Sequence, residues 1–126
     1  MPQPTSKLKP LSDQQLMRYS RHIMLPSVDI DGQELIYNSK VLVIGLGGLG
    51  CAATQYLASS GVGLLTLVDD DEVDITNLQR QVLHGEKDLT QFKVHSARDT
   101  IQALNKEVEV ECYQTRLNDE TLSELI

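Results

Sequence analysis

Residues able to handle a nucleotide are concentrated in one stretch of this chain. A glycine-rich turn, V-I-G-L-G-G-L-G-C at 43–51, precedes three adjacent acids, Asp69, Asp70 and Asp71. Asn77, Arg80, Gln81 and Lys93 follow. Gly45, Gly47 and Gly50 fit the spacing G-x-G-x-x-G, and Gly48 adds a fourth glycine. Such a turn, at the end of a strand and the start of a helix, presents backbone N–H groups to phosphate. Asp69 stands 24 residues after Gly45, near the spacing of an acid that accepts hydrogen bonds from ribose hydroxyls. Asp71 could turn back to the same pocket. Acids beside phosphates repel them unless cations compensate, and Arg80 and Lys93 are the available cations. Charge of that kind suits phosphoryl or nucleotidyl transfer, where it grows on phosphate oxygens. The glycine motif alone leaves NAD, FAD and ATP all open. No G-x-x-x-x-G-K-[ST] run is present, so an ATP site here would not be a P-loop.

These residues need a scaffold. Lys40–Ile44, with its unbroken V-L-V-I run, reads as a parallel strand buried on both faces. A helix of small residues follows over about 49–60, and a second strand over Leu64–Val68 leads into the acids. Thr76 is expected to cap a short helix through Gln81, and Thr90 a longer one to about Leu104. Residues 108–113 alternate apolar and charged, which predicts a third, more peripheral strand. Asn118 should cap a last helix from about Asp119. Ahead of the first strand, Ser12 and Gln15 form a capping-box signature. They predict a helix over 13–22 carrying Arg18 and Arg21, and a second helix is expected over 31–37. The fold class is therefore α/β, a Rossmann-like, mostly parallel sheet with flanking helices and an N-terminal helical extension. The domain plan is a disordered leader at 1–10, the extension at 11–38 and the first half of a nucleotide-binding domain at 39–126. The sheet should stop before a fourth strand, leaving the first strand as a bare apolar edge, as in the front part of a longer protein.

Bulk properties narrow the function. At 126 residues the chain holds one domain at most, and 40% hydrophobic content suffices for a core. Its net charge of −7 disfavours nucleic acid as a partner. No run reaches the roughly 18 apolar residues of a membrane span. Cys51 and Cys112 have no metal-ligand spacing and read as buried and reduced, as expected of a cytoplasmic protein.

The stretches L-S-D-Q-Q-L-M-R-Y-S-R-H-I at 11–23, V-L-V-I-G-L-G-G-L-G-C at 41–51 and G-V-G-L-L-T-L-V-D-D-D-E-V-D-I-T-N-L-Q-R-Q at 61–81 carry a family resemblance. Over residues 11–126 the chain resembles the N-terminal half of the bacterial E1-like adenylating enzymes of the molybdopterin and thiamine pathways, the molybdopterin branch more closely. The resemblance implies an enzyme that uses ATP with Mg2+ to adenylate the C-terminal Gly-Gly carboxylate of a small ubiquitin-like sulfur-carrier protein. By position, Gly45, Gly47, Gly48 and Gly50 would support the phosphates and Asp69 the ribose. Asn77, Arg80 and Lys93 would line the triphosphate, with Gln81 as support. Arg21 resembles an arginine that reaches into the ATP site of the other subunit in a homodimer. The family's magnesium-placing aspartate, its later cysteine and its paired C-x-x-C zinc motifs have no counterpart in these 126 residues. No metal ligand is therefore assigned, and neither cysteine receives a catalytic role. An NAD- or FAD-dependent oxidoreductase domain and a non-catalytic docking module are the competing readings.

Overall fold

The computed structural model describes residues 8–126; most of the expected leader, residues 1–7, lies outside them. Three parallel strands, β1 (Lys40–Ile44), β2 (Leu64–Val68) and β3 (Glu109–Tyr113), form one sheet in the order β1-β2-β3. Lys40 pairs with Leu64 and Leu64 with Glu109, and the register then advances in step along all three strands. Helix α4 (Gly48–Ser60) connects β1 to β2, and α5 (Lys93–Leu104) leads into β3.

Alternation along the strands decides which face is covered. Val41 and Val43, Leu65 and Leu67, and Val110 and Cys112 turn toward one side. There they meet Cys51 and Ala58 of α4 and Val94, Ala97 and Ile101 of α5. Positions 94, 97 and 101 recur at helical spacing, so α5 presents one apolar stripe. Each fully buried leucine in this layer contributes about 1.5–3 kcal/mol. On the other face Leu42, Leu64 and Thr66 are only half-buried, and Glu109 and Glu111 are exposed. The first strand is thus not buried on both faces. It is an edge strand, and Ile44 at its end is 56% exposed. β3 is the other edge, as its alternating charges predict.

The N-terminal segment differs from the expected single helix over 13–22. It breaks into α1 (Asp13–Arg18) and α2 (Ser20–Ile23), because Tyr19 leaves helical geometry at φ −101°, ψ 17°. Tyr19 is buried, and its hydroxyl accepts a 2.8 Å bond from Nδ2 of Asn105, 86 residues away. A tertiary bond has displaced local helix continuity. The capping box is present: Oγ of Ser12 accepts the Gln15 N–H at 3.1 Å, and Oε1 of Gln15 accepts the Ser12 N–H at 2.8 Å. Helix α3 (Asp29–Tyr37) begins two residues before the expected 31. At the other end of the chain, Asn118 caps α6 (Asp119–Leu125) through the Thr121 N–H at 2.9 Å.

Two further caps need correction. Asp74, not Thr76, opens the turn, which is a 3-10 segment over Ile75–Asn77 and stops short of Gln81. The Asp74 carboxylate accepts both the Thr76 hydroxyl and the Thr76 N–H, at 2.7 and 2.8 Å. Those two bonds hold its carboxyl below the usual carboxylate range. A carboxylate is the stronger acceptor and outcompetes the hydroxyl for the cap. Thr90 caps nothing. It sits at φ 72° in a turn, and α5 starts three residues later at Lys93.

Candidate active site

The glycine turn and the acids converge at the carboxyl ends of β1 and β2, where ligands bind open α/β sheets. Gly45 donates its N–H to the Val68 carbonyl at 2.8 Å, fastening the turn to the end of β2. Asp69 then bridges the two elements. One carboxylate oxygen accepts the Leu46 N–H at 2.7 Å, and the other accepts the Asp71 N–H at 2.8 Å. A carboxylate has about four acceptor positions, so capacity for hydroxyl donors remains. Gly47 is the N-cap of α4 and provides no capping side chain, leaving the first N–H groups of that helix for an outside acceptor. A side chain at Gly50 would overlap the Gly45 carbonyl oxygen; only glycine lets the helix start so close beneath the turn. Above Gly47 the space is open: a Cβ there would meet nothing within 4 Å.

Arg80 lies over this turn. Its Cγ and Cδ are 3.6 Å from where a Cβ on Gly48 would stand. Its guanidinium is exposed and bonds its own segment, Nη1 donating to the Thr76 carbonyl and to Oε1 of Gln79, both at 3.1 Å. Asn77 is partly committed: its Oδ1 accepts the Asp74 N–H at 2.9 Å. Gln81 is buried, and its Oε1 finds no donor among the described residues.

Lys93 is a different case. It is only 6% exposed and begins α5, where the helix dipole disfavours a cation. Its backbone N–H donates to the Asp71 carbonyl at 3.0 Å, and its Nζ lies 3.8 Å from the Asp71 carboxylate. A buried ammonium with one long ion pair is poorly compensated.

Asp69, Asp70 and Asp71 can bring carboxylate oxygens within 4.8 Å of one another. Each already has a partner: backbone N–H groups for Asp69, Arg116 at 3.3 Å for Asp70 and Lys93 for Asp71. This engaged set is not assigned as a metal centre.

Arg21 is not brought to this site. It is exposed on α2, two residues from Tyr19, whose ring packs at Gly61. Gly61 caps the far end of the 13-residue α4, roughly 20 Å along that helix from the glycine turn. The sequence reading also passed over His84, a buried side chain beside the turn. Nδ1 of His84 is 2.8 Å from Oγ of Ser96, and Nε2 is 3.6 Å from Sγ of Cys51. Burial lowers the His84 pKa and keeps the ring neutral, and burial raises that of the Cys51 thiol. The only sequence signal was a polar ring closing the apolar run V-L-H. Both cysteines are free, Cys51 buried and Cys112 half-buried.

A three-stranded parallel sheet with flanking helices, a glycine turn after its first strand and an acid at the end of its second defines a Rossmann-like α/β domain. The chain belongs to the ThiF family, whose pattern matches residues 19–126. Molybdopterin-synthase adenylyltransferase of Salmonella typhimurium is 51% identical over 116 residues, covering 92% of this chain and 47% of that protein. The sulfur carrier protein ThiS adenylyltransferase of Escherichia coli is 42% identical, covering 92% of this chain and 46% of that protein. The crystal structure of selenomethionine PaaA superposes with a TM-score of 0.86 at 36% identity, covering 99% of this chain and 42% of that one. The chain thus spans about half the length of the curated relatives it matches. No helix among the described residues is long and apolar enough to cross a membrane.

Proposed function

We propose that residues 39–126 are the first half of an ATP-binding adenylation domain and residues 11–38 a helical extension that serves it. The reaction is adenylation of the C-terminal Gly-Gly carboxylate of a small ubiquitin-like sulfur carrier in the cytoplasm. A carboxylate oxygen of the carrier attacks the α-phosphorus of ATP, the bond to the β-phosphate oxygen breaks, and pyrophosphate leaves. The product is an acyl-adenylate. Mg2+ would arrive with the nucleotide and neutralise phosphate oxygens.

In this reading Gly45, Gly47, Gly48 and Gly50 form the phosphate turn, and Asp69 accepts from the ribose. Asp71 holds Lys93 in place until phosphate arrives. Arg80 swings from its own segment onto the phosphates, with Asn77 beside it and Gln81 supporting. The single observation that carries the proposal is Lys93, a buried cation at a helix N-terminus beside a phosphate-type turn. A nucleotide of two buried phosphates and no charge transfer has little use for it; a triphosphate undergoing displacement does.

Arg21 would act from the partner subunit of a homodimer, since its own site is too distant. In the full-length gene product, Arg21→Ala and Arg80→Ala should each lose activity. Mixed dimers of the two variants should regain part of it, because one site then has both arginines. No recovery in verified heterodimers would remove Arg21 from that role. For nucleotide choice, calorimetric titration of the full-length gene product with ATP and with NAD decides. ATP should bind more tightly, and Arg80→Ala or Lys93→Ala should weaken ATP more than NAD. Equal or tighter NAD binding would sink the proposal.

A further inference from the structure

We propose that His84, with Cys51 and Ser96, is the positioning device that aims the Gly47 N–H at a nucleotide phosphate. The inference rests on the phosphate role given above to the glycine turn. His84 touches three elements. Its Nε2 faces Sγ of Cys51 on α4 at 3.6 Å. Its Nδ1 is 2.8 Å from Oγ of Ser96 on α5, the helix that begins with Lys93. Its own backbone N–H donates to the Gln81 carbonyl at 3.0 Å, directly behind Arg80. His84 therefore ties together the start of α4 at Cys51, the segment bearing Arg80 and the helix bearing Lys93.

The consequence for the turn follows from peptide geometry. The Leu46 carbonyl is held inward, since the Cys51 thiol donates to it at 3.3 Å. Its peptide unit continues into the Gly47 nitrogen. In a planar trans peptide the C=O and N–H point in opposite directions. Holding this carbonyl toward the core therefore turns the Gly47 N–H away from it, toward the open space above the turn. That N–H has no backbone acceptor among the described residues. The preceding amide is fixed as well, because the Leu46 N–H is bound by Asp69. The turn is gripped from β2 on one side and from Cys51 and His84 on the other, so its donor is set before a ligand arrives. Chemistry fixes the tautomer: the Cys51 thiol spends its proton on the Leu46 carbonyl, so its sulfur accepts from Nε2, and Nδ1 accepts the Ser96 hydroxyl. The neutral state imposed by burial supports this arrangement.

The test compares His84→Leu, which keeps bulk and removes the donor, with His84→Gln, whose amide can donate to the same Cys51 sulfur. Calorimetry on the full-length gene product should show ATP affinity falling roughly tenfold or more in His84→Leu, the scale of one hydrogen bond to a charged group. It should return to within about threefold of the native value in His84→Gln. The Gly47 amide resonance should shift on adding ATP to the native protein and to His84→Gln, but not to His84→Leu. Ser96→Ala, a milder change, should weaken ATP binding by a smaller factor, and it serves if His84→Leu does not fold. Equal ATP affinity in all variants, or equal loss in both His84 variants, overturns the positioning role and leaves the adenylation reading standing. Binding of inorganic pyrophosphate that depends on His84, with no ATP binding, overturns the adenylation reading and leaves the positioning role. A full-length gene product that binds neither overturns both.

Discussion

At the C-terminal end of α4, Gly61 adopts φ 97°, and a side chain there would lie 2.6 Å from Cζ of Tyr19 and 2.9 Å from Nε2 of Gln33. At the N-terminal end of the same helix, a side chain on Gly47 would meet nothing within 4 Å. The first glycine admits packed neighbours, and the second keeps a space clear. Around Gly61 the polar atoms satisfy one another. Nε2 of Gln33 donates to the Ser60 carbonyl at 2.8 Å, Nδ1 of His22 meets Oε1 of Gln33 at 3.0 Å, and Asn105 bonds both Tyr19 and Ala58. Around Gly47 they do not: Gln81 has an orphaned oxygen and Lys93 a single long ion pair. A region that satisfies itself serves stability, and a region left unsatisfied is available to a ligand.

Substitutions at the two ends should separate these properties. Gly61→Ala carries the largest expected loss of stability, roughly 2–5 kcal/mol, from left-handed backbone strain together with overpacking against Tyr19. Urea unfolding measures it, and a midpoint unchanged from the native chain would contradict the packing described. Tyr19→Phe should cost about 1–2 kcal/mol by the same assay, because one N–H of the buried Asn105 loses its acceptor. Next comes a pH effect at the other end of the helix. The folded-state pKa of His84 is lowered from 6.5 by burial, so the unfolded chain binds its proton first. Stability should therefore decline as the pH falls below about 6.5 and level off below the folded-state pKa. Replacing the ring by Gln should flatten that slope. A slope identical in His84→Gln would assign the effect to other groups. Smallest is Gly47→Ala, expected to change stability by no more than about 0.5 kcal/mol while weakening ATP binding by filling the cleared space. A large stability loss there, or undiminished ATP affinity, would erase the contrast between the two ends.

The two ends were unequally legible in the sequence. Glycine spacing, the apolar run of β1 and the acid after β2 placed the phosphate end, because each is a local pattern with a local cause. Bounds of β1 and β2 followed from their apolar runs. The break at Tyr19 was hidden because it depends on Asn105, far along the chain, and helical spacing across 16, 19 and 23 hides a turn that tertiary contacts remake. The start of α5 at Lys93 was missed for a related reason: Thr90 has a good capping side chain, but its backbone is spent in a turn, its N–H donating to Val73 at 3.0 Å. His84 was passed over because a lone histidine gives no spacing to read. Its meaning comes from Cys51 and Ser96, which only the fold assembles around it.

The strands lie in the sheet in the order in which they are made, and this sets a timetable for synthesis. As the chain emerges from a ribosome, β1, α4 and β2 can close on one another while β3 is still being built. The N-terminal helices, although made first, wait longest. Tyr19 faces Gly61 early but has no hydrogen-bond donor for its hydroxyl until Asn105 has been added. An early segment of the polypeptide is thus locked down by a residue made 86 positions later, and α1 and α2 stay loosely held until α5 has been made.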